Sequence, residues 1–333
     1  MRLIRVSRLA NVAKLDIAPG LVGAFRKLLL NPPDVWHLHV PNVTMMLAVL
    51  ASRRTHPLVI THHSDIIRQR VARHFVKPVE SAVYRQAARV LPTSPTYAAG
   101  SALLQRFAAK VTPLPLGIDL SPFQHPSPTA VAHAGQFRQK YQPPLWLAVG
   151  RLIYYKGLHV ALAALRAVPG TLVVIGTGPL ERELRAQALE LGVADRVVWY
   201  GHAGTDELVG AYHAATALWF PSLARSEGFG LVQVEAMASG CPVINTSIPA
   251  SGVSWVCRDG LEGLMAPVND PAAFAAAANR LLREPGLRDR LVAGGTARAA
   301  AEFDWMVMGR RSLEVYRDVL RDAEARRHTR GSN

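Results

Sequence analysis

The chain has 333 residues and a formal net charge of +14, and half of its residues are apolar while 19% are charged. This length favours two domains rather than one, and the composition excludes a disordered or collagen-like protein. The two cysteines, Cys241 and Cys257, are too few for a disulfide framework and lack the C-x-x-C spacing of metal and redox sites. We interpret them as small buried residues in a reducing compartment.

The N-terminal segment gives no sign of export. Residues 1–16 mix arginine with apolar residues and lack the continuous apolar stretch and small-residue cleavage site of a signal peptide. The longest apolar runs, such as residues 45–51, are much shorter than the roughly 20 residues of a membrane-spanning helix. The sequence therefore predicts a cytoplasmic protein that does not cross a bilayer.

The positive charge is concentrated in the first part of the chain. Residues 1–145 contain 18 Lys/Arg and 5 Asp/Glu, a net charge of +13, whereas residues 146–333 contain 20 and 19, a net charge of +1. A basic stretch interleaved with apolar residues holds Arg68, Arg70, Arg73, Lys77, Arg85 and Arg89. This pattern favours an anionic membrane surface, with a solvated helix face as the alternative. Nucleic acid is a weaker interpretation because no binding motif accompanies the charge.

Short apolar runs alternate with amphipathic segments of helical length along the whole chain. The predicted strands are residues 34–40, 58–62, 90–93, 111–116, 146–149, 171–175, 197–200, 217–220, 243–245 and 263–266. Such alternation is typical of parallel sheets covered by helices on both faces. We therefore predict an α/β protein of two doubly wound domains, in which ligands bind beyond the carboxyl ends of the strands.

The alternation breaks between residues 118 and 144, where five prolines frame a polar segment of poor periodicity. We place the domain boundary there. The predicted organisation is an N-terminal domain over 1–120, a linker over 121–143, a C-terminal domain over 144–305, a helix over 306–325 and a disordered tail over 326–333.

The strongest chemical signal is the segment 226–240, which follows the predicted strand 217–220. Its glycines let the backbone approach a ligand closely, and the helix expected from about Leu231 presents unpaired N–H groups and a positive dipole end. Glu227 precedes this helix and Glu235 lies inside it, about 12 Å away if the segment is helical. The pattern predicts a diphosphate site between two carboxylates; the alternative is one helix-terminal and one incidental glutamate.

Four motifs resemble those of family 4 retaining glycosyltransferases, also named glycosyl transferases group 1. The segment from Glu227 to Glu235, continued by Ala-Met-Ala-Ser-Gly-x-Pro-Val-Ile, is similar to the donor-site signature of that family. The segments 149–157 and 174–180 are similar to its two other donor-side turns. His63, in Thr-His-His-Ser-Asp, corresponds to a histidine that faces the donor sugar in that family. The resemblance implies the GT-B fold, with two Rossmann-like domains facing across a cleft.

The resemblance also implies roles for single residues. Catalytic residues would be His63, Arg151, Lys156 and Glu227. Donor-binding residues would be Gly150, Gly176, Gly178, Pro179, Gly228, Phe229, Gly230, Leu231, Val232 and Glu235. Arg151 and Lys156 would hold the leaving diphosphate, while Glu227 would orient the sugar hydroxyls and Glu235 the ribose. No Asp-x-Asp pair is present in the sequence, so we expect no obligatory metal.

The expected reaction is transfer of a hexose, with retention, from a nucleotide diphosphate-sugar to a lipid-linked glycan at the inner face of the plasma membrane. Similarity to mannosyltransferases of polysaccharide assembly favours GDP-mannose, with UDP-hexoses next. The strand, Gly-rich turn and helix that open such enzymes are not found before residues 2–6. We therefore expect a truncated first domain and weak or absent transfer by residues 1–333 alone.

Three other functions compete with this interpretation. One is a non-catalytic sugar-nucleotide or lipid-binding protein, and another is a UDP-sugar epimerase of the same architecture. A nucleotide-dependent oxidoreductase is disfavoured because Gly176-x-Gly178 lacks the third glycine and the acidic partner of a dinucleotide site.

Overall fold

The computed structural model describes residues 4–7, 9–12, 15–18, 20–52, 56–65 and 72–331. The chain divides into two compact units. The first comprises Met1–Leu114 with Gly309–Asn333, and the second comprises Pro115–Met308.

The first unit is built on a parallel sheet of three strands. Its strands are β1 (Ala10–Val12), β2 (Leu15–Ile17), β3 (Trp36–Val40), β4 (Leu58–His62) and β5 (Ala87–Pro92), and its helices are α1 (Gly20–Leu30), α2 (Val43–Ala51), α3 (Ala72–Gln86), α4 (Pro95–Ala99) and α5 (Ala102–Gln105). The strand order is β3-β4-β5, while β1 and β2 pair antiparallel by themselves. Every residue of β4 is buried, as expected of a central strand covered on both faces.

Helix α3 carries part of the basic stretch. Arg68 and Arg70 lie outside the described residues, as does the side chain of Arg73. Among the described side chains, Lys77 and Arg85 are exposed. Two of the apolar residues between them, Val83 and Tyr84, are completely buried in the core of the unit and are therefore not available to a membrane. Val79 is half-buried.

The second unit contains a parallel sheet of six strands with helices on both faces. Its strands are β6 (Leu145–Val149), β7 (Thr171–Ile175), β8 (Val197–Gly201), β9 (Ala217–Phe220), β10 (Val243–Thr246) and β11 (Gly263–Ala266). Its helices are α6 (Ser121–Gln124), α7 (Pro128–Lys140), α8 (Leu158–Leu165), α9 (Glu181–Glu190), α10 (Thr205–Ala214), α11 (Leu231–Ala238), α12 (Val253–Val256), α13 (Pro271–Arg283) and α14 (Leu287–Glu302). Two apolar cores cover the two faces of the sheet, and Trp146 stacks on Trp219 at 5.0 Å between ring centroids in one of them.

The strand order β11-β10-β9-β6-β7-β8 reverses direction between β6 and β9. From β6 the chain proceeds outward through β7 to β8, and it then returns to the other side of β6 to form β9. A crevice opens beyond the carboxyl ends of the strands at such a switch point. The residues that follow β6 and β9 are therefore placed side by side at this position.

The segment 121–143, predicted as a linker, contains the two helices α6 and α7. Ser127 begins α7 by accepting a hydrogen bond from the N–H of Ala130, and Pro128 occupies the first helical position. Helix α7 buries Ala130, Ala134 and Phe137. It packs against α10, and Ser127 Oγ donates to Asp206 Oδ1 at 2.8 Å. The segment is thus an integral layer of the second unit.

The C-terminal helix α15 spans Trp305–Gly331, so residues 326–331, predicted as a disordered tail, are helical. Its residues from Gly309 onward belong to the first unit. There Asp322 pairs with Arg89 at 2.9 Å. No helix among the described residues combines the length and apolar character needed to span a bilayer.

Candidate functional site

Lys156 lies at the switch point of the second sheet. It ends a short 3-10 turn, Tyr154–Lys156, that follows β6. Its Nζ is 2.7 Å from Glu227 Oε2 and 5.0 Å from the centre of the Phe220 ring, at the end of β9. The predicted cation and the predicted carboxylate, 71 positions apart in the sequence, are therefore in direct contact.

Close contact between two turns places Lys156 there. Gly157 has a φ of +65°, and a Cβ at this position would be 1.9 Å from the carbonyl oxygen of Pro221. The N–H of Leu223 donates to the carbonyl of Tyr155 at 2.8 Å. Only glycine lets the turn after β6 rest on the turn after β9, so the position of Lys156 depends on it.

The loop that carries Glu227 is held by serines that follow strands β9 and β10. Ser222 Oγ donates to Glu227 Oε2 at 3.2 Å, and Ser251 Oγ donates to the carbonyl of Glu227. The N–H of Gly252 donates to the carbonyl of Gly228 at 3.0 Å. Glu227 is only 8% exposed. Its carboxylate is thus fixed by Lys156 and Ser222 before any ligand is bound.

Gly230 directly precedes α11 and has a φ of +78°, in the left-handed region. A Cβ there would be 2.8 Å from the Phe220 ring. Leu231 and Val232 form the first turn of α11, whose first N–H groups have no partner within the helix. The dipole and these donors make the start of α11 a suitable site for an anion.

Phe229 takes part in the site through its backbone alone. Its ring is buried and contacts Phe303 and Trp255, with centroid distances of 5.6 Å and 6.5 Å. Its carbonyl accepts a hydrogen bond from Gln233 Nε2 at 3.1 Å. The aromatic side chain therefore anchors the loop to the core.

Glu235 lies inside α11 and has the partner that an internal acid requires. Tyr212, a fully buried residue of α10, donates its hydroxyl to Glu235 Oε2 at 2.7 Å. Burial raises the pKa of Glu235, while the Tyr212 hydrogen bond and the charge of Lys156 oppose this shift. The ammonium group of Lys156 therefore acts on both glutamates.

Arg151 is exposed at the end of the turn after β6. The pKa of the Tyr155 hydroxyl is raised by burial and by the charge of Glu227, and it is lowered by the charge of Arg151. Both charged groups therefore lie within electrostatic range of Tyr155. The described residues provide no hydrogen-bond or ion-pair partner for the Arg151 guanidinium.

The predicted glycines after β6 and β7 have a packing role. Gly176 has a φ of +137°, and a Cβ there would be 2.0 Å from the carbonyl oxygen of Gly150. A Cβ on Gly178 would be 2.5 Å from the carbonyl oxygen of Leu152. Pro179 follows, two positions before α9 begins at Glu181. The Gly-x-Gly turn thus supports the turn that leads to Arg151 and Lys156.

His63 belongs to the first unit, where it follows β4. Its N–H donates to the carbonyl of Val40 at 3.0 Å, and its Nε2 is 2.9 Å from Nδ1 of His39. Within the described ranges, no group of three or more His, Cys, Asp or Glu side chains is arranged to hold a metal ion.

Several residues that contact the predicted site residues of each unit were not predicted from the sequence. They are Tyr155 and Phe220 beside Lys156, Ser222 and Ser251 beside Glu227, Tyr212 beside Glu235, and His39 beside His63. The two serines could have been predicted from the sequence, because each follows a buried strand at the carboxyl edge of the sheet, where ligands bind. Tyr212 carried none, since an amphipathic helix contains buried tyrosines for many reasons.

Comparison with known proteins identifies the family. The model of the glycosyl transferases group 1 family matches residues 133–298, and that of the glycosyl transferase 4-like domain matches residues 2–117. The D-rhamnosyltransferase WbpZ of Pseudomonas aeruginosa is 34% identical over 265 residues, which are 80% of this chain and 68% of WbpZ. The chain belongs to the glycosyl transferases group 1 family. Its enzyme class is therefore glycosyltransferase, and the resemblance seen in the sequence is confirmed.

The chain is also similar to proteins from other bacteria. The O-antigen chain mannosyltransferase C of Escherichia coli is 31% identical over 248 residues, which are 74% of this chain and 65% of that enzyme. This chain thus matches about two thirds of the length of each relative. HepE of Anabaena, solved in complex with UDP, superposes with a TM-score of 0.77 over 90% of this chain and 82% of its own, at 20% identity.

Sucrose-phosphate synthase of Thermosynechococcus elongatus gives a TM-score of 0.76 at 26% identity, over 91% of this chain and 78% of its own. Together with HepE, it confirms the predicted GT-B fold class.

Proposed function

We propose that this chain transfers a hexose, with retention of configuration, from a nucleotide diphosphate-sugar to a lipid-linked glycan. The observation that carries the proposal is the contact of Lys156 Nζ with Glu227 Oε2, at 2.7 Å, in the turn before α11 at the sheet's switch point. This arrangement provides a cation, a helix start and a carboxylate in one place. A diphosphate bearing a sugar requires all three.

Charge on the leaving group decides the rate of such a reaction. The bond between the anomeric carbon and the diphosphate oxygen breaks, and the acceptor hydroxyl oxygen bonds to that carbon on the same face. Lys156, Arg151 and the N–H groups of α11 would stabilise the negative charge that develops on the diphosphate. The released phosphate oxygen would take the proton of the acceptor hydroxyl. Because the chain supplies these positive groups, we propose that transfer needs no divalent cation.

The two glutamates would bind the two sugars of the donor. Glu227, fixed by Ser222 and Lys156, would accept hydrogen bonds from hydroxyls of the transferred hexose. Glu235, one oxygen of which is bonded to Tyr212, would accept hydrogen bonds from the ribose with the other. Gly150, Gly176, Gly178 and Pro179 would shape the turns beside the nucleotide.

The relatives support a choice of donor. The names of two members, a D-rhamnosyltransferase and an O-antigen chain mannosyltransferase, favour GDP-linked 6-carbon sugars, and we propose GDP-mannose. The UDP bound to HepE makes UDP-hexoses the alternative. A lipid-linked glycan of surface polysaccharide assembly is the proposed acceptor, reached from the cytoplasmic membrane surface with the exposed cations Lys77 and Arg85 contributing to the attraction.

Donor binding tests the proposal without knowledge of the acceptor. GDP-mannose at about 100 times its dissociation constant is expected to add roughly 2.7 kcal/mol to the free energy of unfolding of the unit that binds it. A thermal-shift panel of GDP-mannose, UDP-glucose, UDP-galactose and the free nucleotides measures this. Lys156→Ala should abolish the shift, whereas Lys140→Ala, at an exposed position of α7, should preserve it. If no nucleotide sugar shifts the transition, the proposed function is wrong.

Glu235→Gln is expected to stabilise the second unit at neutral pH while weakening nucleotide binding. Burial raises the pKa of Glu235, so the folded state favours the protonated carboxyl. The stability from such an acid is present below its unfolded-state pKa and is lost as the pH rises through its folded-state pKa. The ionised carboxylate therefore lowers the free energy of unfolding at pH 7. The neutral amide of Gln removes this loss, and its oxygen can still accept the hydrogen bond from the Tyr212 hydroxyl.

The measurement is the free energy of unfolding of both proteins between pH 4 and pH 7.5. The advantage of Glu235→Gln should grow as the pH rises and should almost vanish at the acidic end. The dissociation constant of the nucleotide should increase for the variant at pH 7.5. A constant stability difference over the whole range would contradict the expected ionisation of Glu235.

A further inference from the structure

Three imidazoles form a row on one face of the sheet in the first unit. His37 and His39 are two positions apart in β3 and so point to the same face, and His63 follows the neighbouring strand β4. The rings of His37 and His39 stack with centroids 4.8 Å apart, and those of His39 and His63 with centroids 5.1 Å apart. We call these three residues the imidazole row. It ends at the carboxyl edge of the sheet, where ligands of such sheets bind.

Hydrogen bonds fix both ends of the imidazole row. At one end, His37 contacts the hydroxyl of Tyr316, in α15, through Nδ1, and Thr61 Oγ1 through Nε2 at 2.7 Å. At the other end, Nδ1 of His39 is 2.9 Å from Nε2 of His63. Since both nitrogens of His37 are engaged, its ring cannot turn without losing a hydrogen bond, and it provides a fixed surface for the exposed ring of His39.

The contact between His39 and His63 constrains the proton on each ring. In a pair of neutral imidazoles, one nitrogen must donate and the other must accept. The two rings are therefore limited to two matched arrangements, with the proton on Nδ1 of both rings or on Nε2 of both rings. The second arrangement holds each imidazole in its intrinsically favoured tautomer, so that Nε2 of His63 donates and its free Nδ1 is an acceptor. Without His39, the Nε2 of His63 would exchange hydrogen bonds with water and both tautomers would be populated.

Electrostatics keep the imidazole row neutral. Burial, and then the charges of His39 and His63, lower the pKa of His37 to about 4. Burial also lowers the pKa of His63, followed by the charges of His39 and His62, and it lowers that of His39. A protonated row would put a second donor proton into the contact between His39 and His63, which would break it.

We propose that His39 is a positioning residue that fixes the tautomer and ring orientation of His63, so that Nδ1 of His63 forms one defined hydrogen bond with a sugar hydroxyl. The inference rests on the proposed function and on the role that the family resemblance implies for His63, which would face the transferred sugar. The hydrogen bond, the two stacking contacts and the fixed position of His37 all support it. His39 itself would not touch the sugar.

Two substitutions at His39 distinguish a role in positioning His63 from a general role in the stability of the fold. The amide of Asn reaches the position of Nδ1 in histidine, whereas the amide of Gln reaches that of Nε2. His39→Asn should therefore keep the contact with His63, and His39→Gln should lose it, with similar polarity at an exposed position. His133→Gln, at a histidine on α7 of the second unit whose ring Nδ1 contacts Gln136, is the matched control.

The first readout is independent of activity. Imidazole ¹⁵N chemical shifts of the full chain at pH 7.5, with His63 assigned by His63→Gln, report the tautomer. His63 should be a single tautomer in the unsubstituted chain, in His39→Asn and in His133→Gln, and a mixture of both in His39→Gln. Unchanged His63 shifts in His39→Gln would overturn the proposal.

The second readout is steady-state sugar transfer. His39→Gln should lower kcat roughly 10- to 100-fold with little change in the KM of the donor, because the hydrogen bond that orients the transferred sugar is misplaced while the contacts to the nucleotide diphosphate remain. His39→Asn should recover most of the loss. If no nucleotide sugar shifts the thermal transition of the unsubstituted chain, the proposed function fails, while the NMR result still decides whether His39 sets the tautomer. Normal transfer by His39→Gln would overturn the positioning role.

Discussion

Glu227→Ala is expected to lower kcat/KM for sugar transfer by about 100-fold or more, a loss of roughly 2.7 kcal/mol of transition-state stabilisation. The carboxylate holds Lys156 at 2.7 Å and would bind the hydroxyls of the transferred hexose. Its removal affects two groups, because Lys156 loses the partner that directs its ammonium group. The dissociation constant of the free nucleoside diphosphate should change much less, since the start of α11 and Glu235 remain.

Two variants control this experiment. Glu227→Gln retains an acceptor for Ser222 but removes the charge that attracts Lys156, so its activity should lie between those of the wild type and Glu227→Ala. Glu181→Ala, on α9 of the same unit, removes a glutamate whose partner is Arg185 on the surface, and its activity should be unchanged. Normal kinetics in a correctly folded Glu227→Ala would exclude the central role proposed for this residue.

The strands β7, β9 and β10 of the second unit were predictable because each is buried on both faces. A central strand of a parallel sheet is a short apolar run without alternation, and such runs stand out between amphipathic helices. The predicted strand 171–175 coincides with β7, and the predicted strand 217–220 coincides with β9. The order of these strands did not follow from the runs themselves.

Two parts of the fold show where local patterns were insufficient. The predicted strand 111–116 forms one isolated bridge, between Val90 and Val111, because two prolines remove N–H donors from it. The segment 121–143 looked irregular because its prolines were interpreted as breaks. In α7, however, Pro128 occupies the first helical position, where a missing N–H costs nothing.

The parts of the site whose residues are close together in the sequence were predictable. The contacts between segments that are far apart in the sequence were not. Gly228, Gly230 and the start of α11 lie within a few residues of each other, so their shared chemistry could be inferred. The contact between Tyr212 and Glu235 joins two helices, and that between Ser251 and Glu227 joins two loops. Such contacts depend on strand order and register, which a single sequence does not specify.

Gly176→Ala is expected to lower the free energy of unfolding of the second unit by about 3 kcal/mol or more. A left-handed backbone costs an alanine roughly 1 to 2 kcal/mol, and the added Cβ would lie 2.0 Å from the carbonyl oxygen of Gly150. No side-chain rotation can relieve a clash between a Cβ and a backbone atom, so the turns after β6 and β7 must separate, at a further cost of about 1 to 3 kcal/mol. The measurement is urea unfolding, followed by the fluorescence of Trp146 and Trp219, which are buried in this sheet.

Gly192→Ala is the matched control, because it separates backbone strain from the clash. Gly192 also has a positive φ, +67°, but a Cβ there would meet no atom within 4 Å. This variant should lose only the roughly 1 to 2 kcal/mol of the left-handed backbone. If Gly176→Ala and Gly192→Ala lower the free energy of unfolding equally, the turns after β6 and β7 are not in close contact at Gly176. In the expected case, Gly176→Ala also weakens donor binding, because the turn that Gly150 opens carries Arg151 and Lys156, and a displaced Lys156 can no longer reach Glu227.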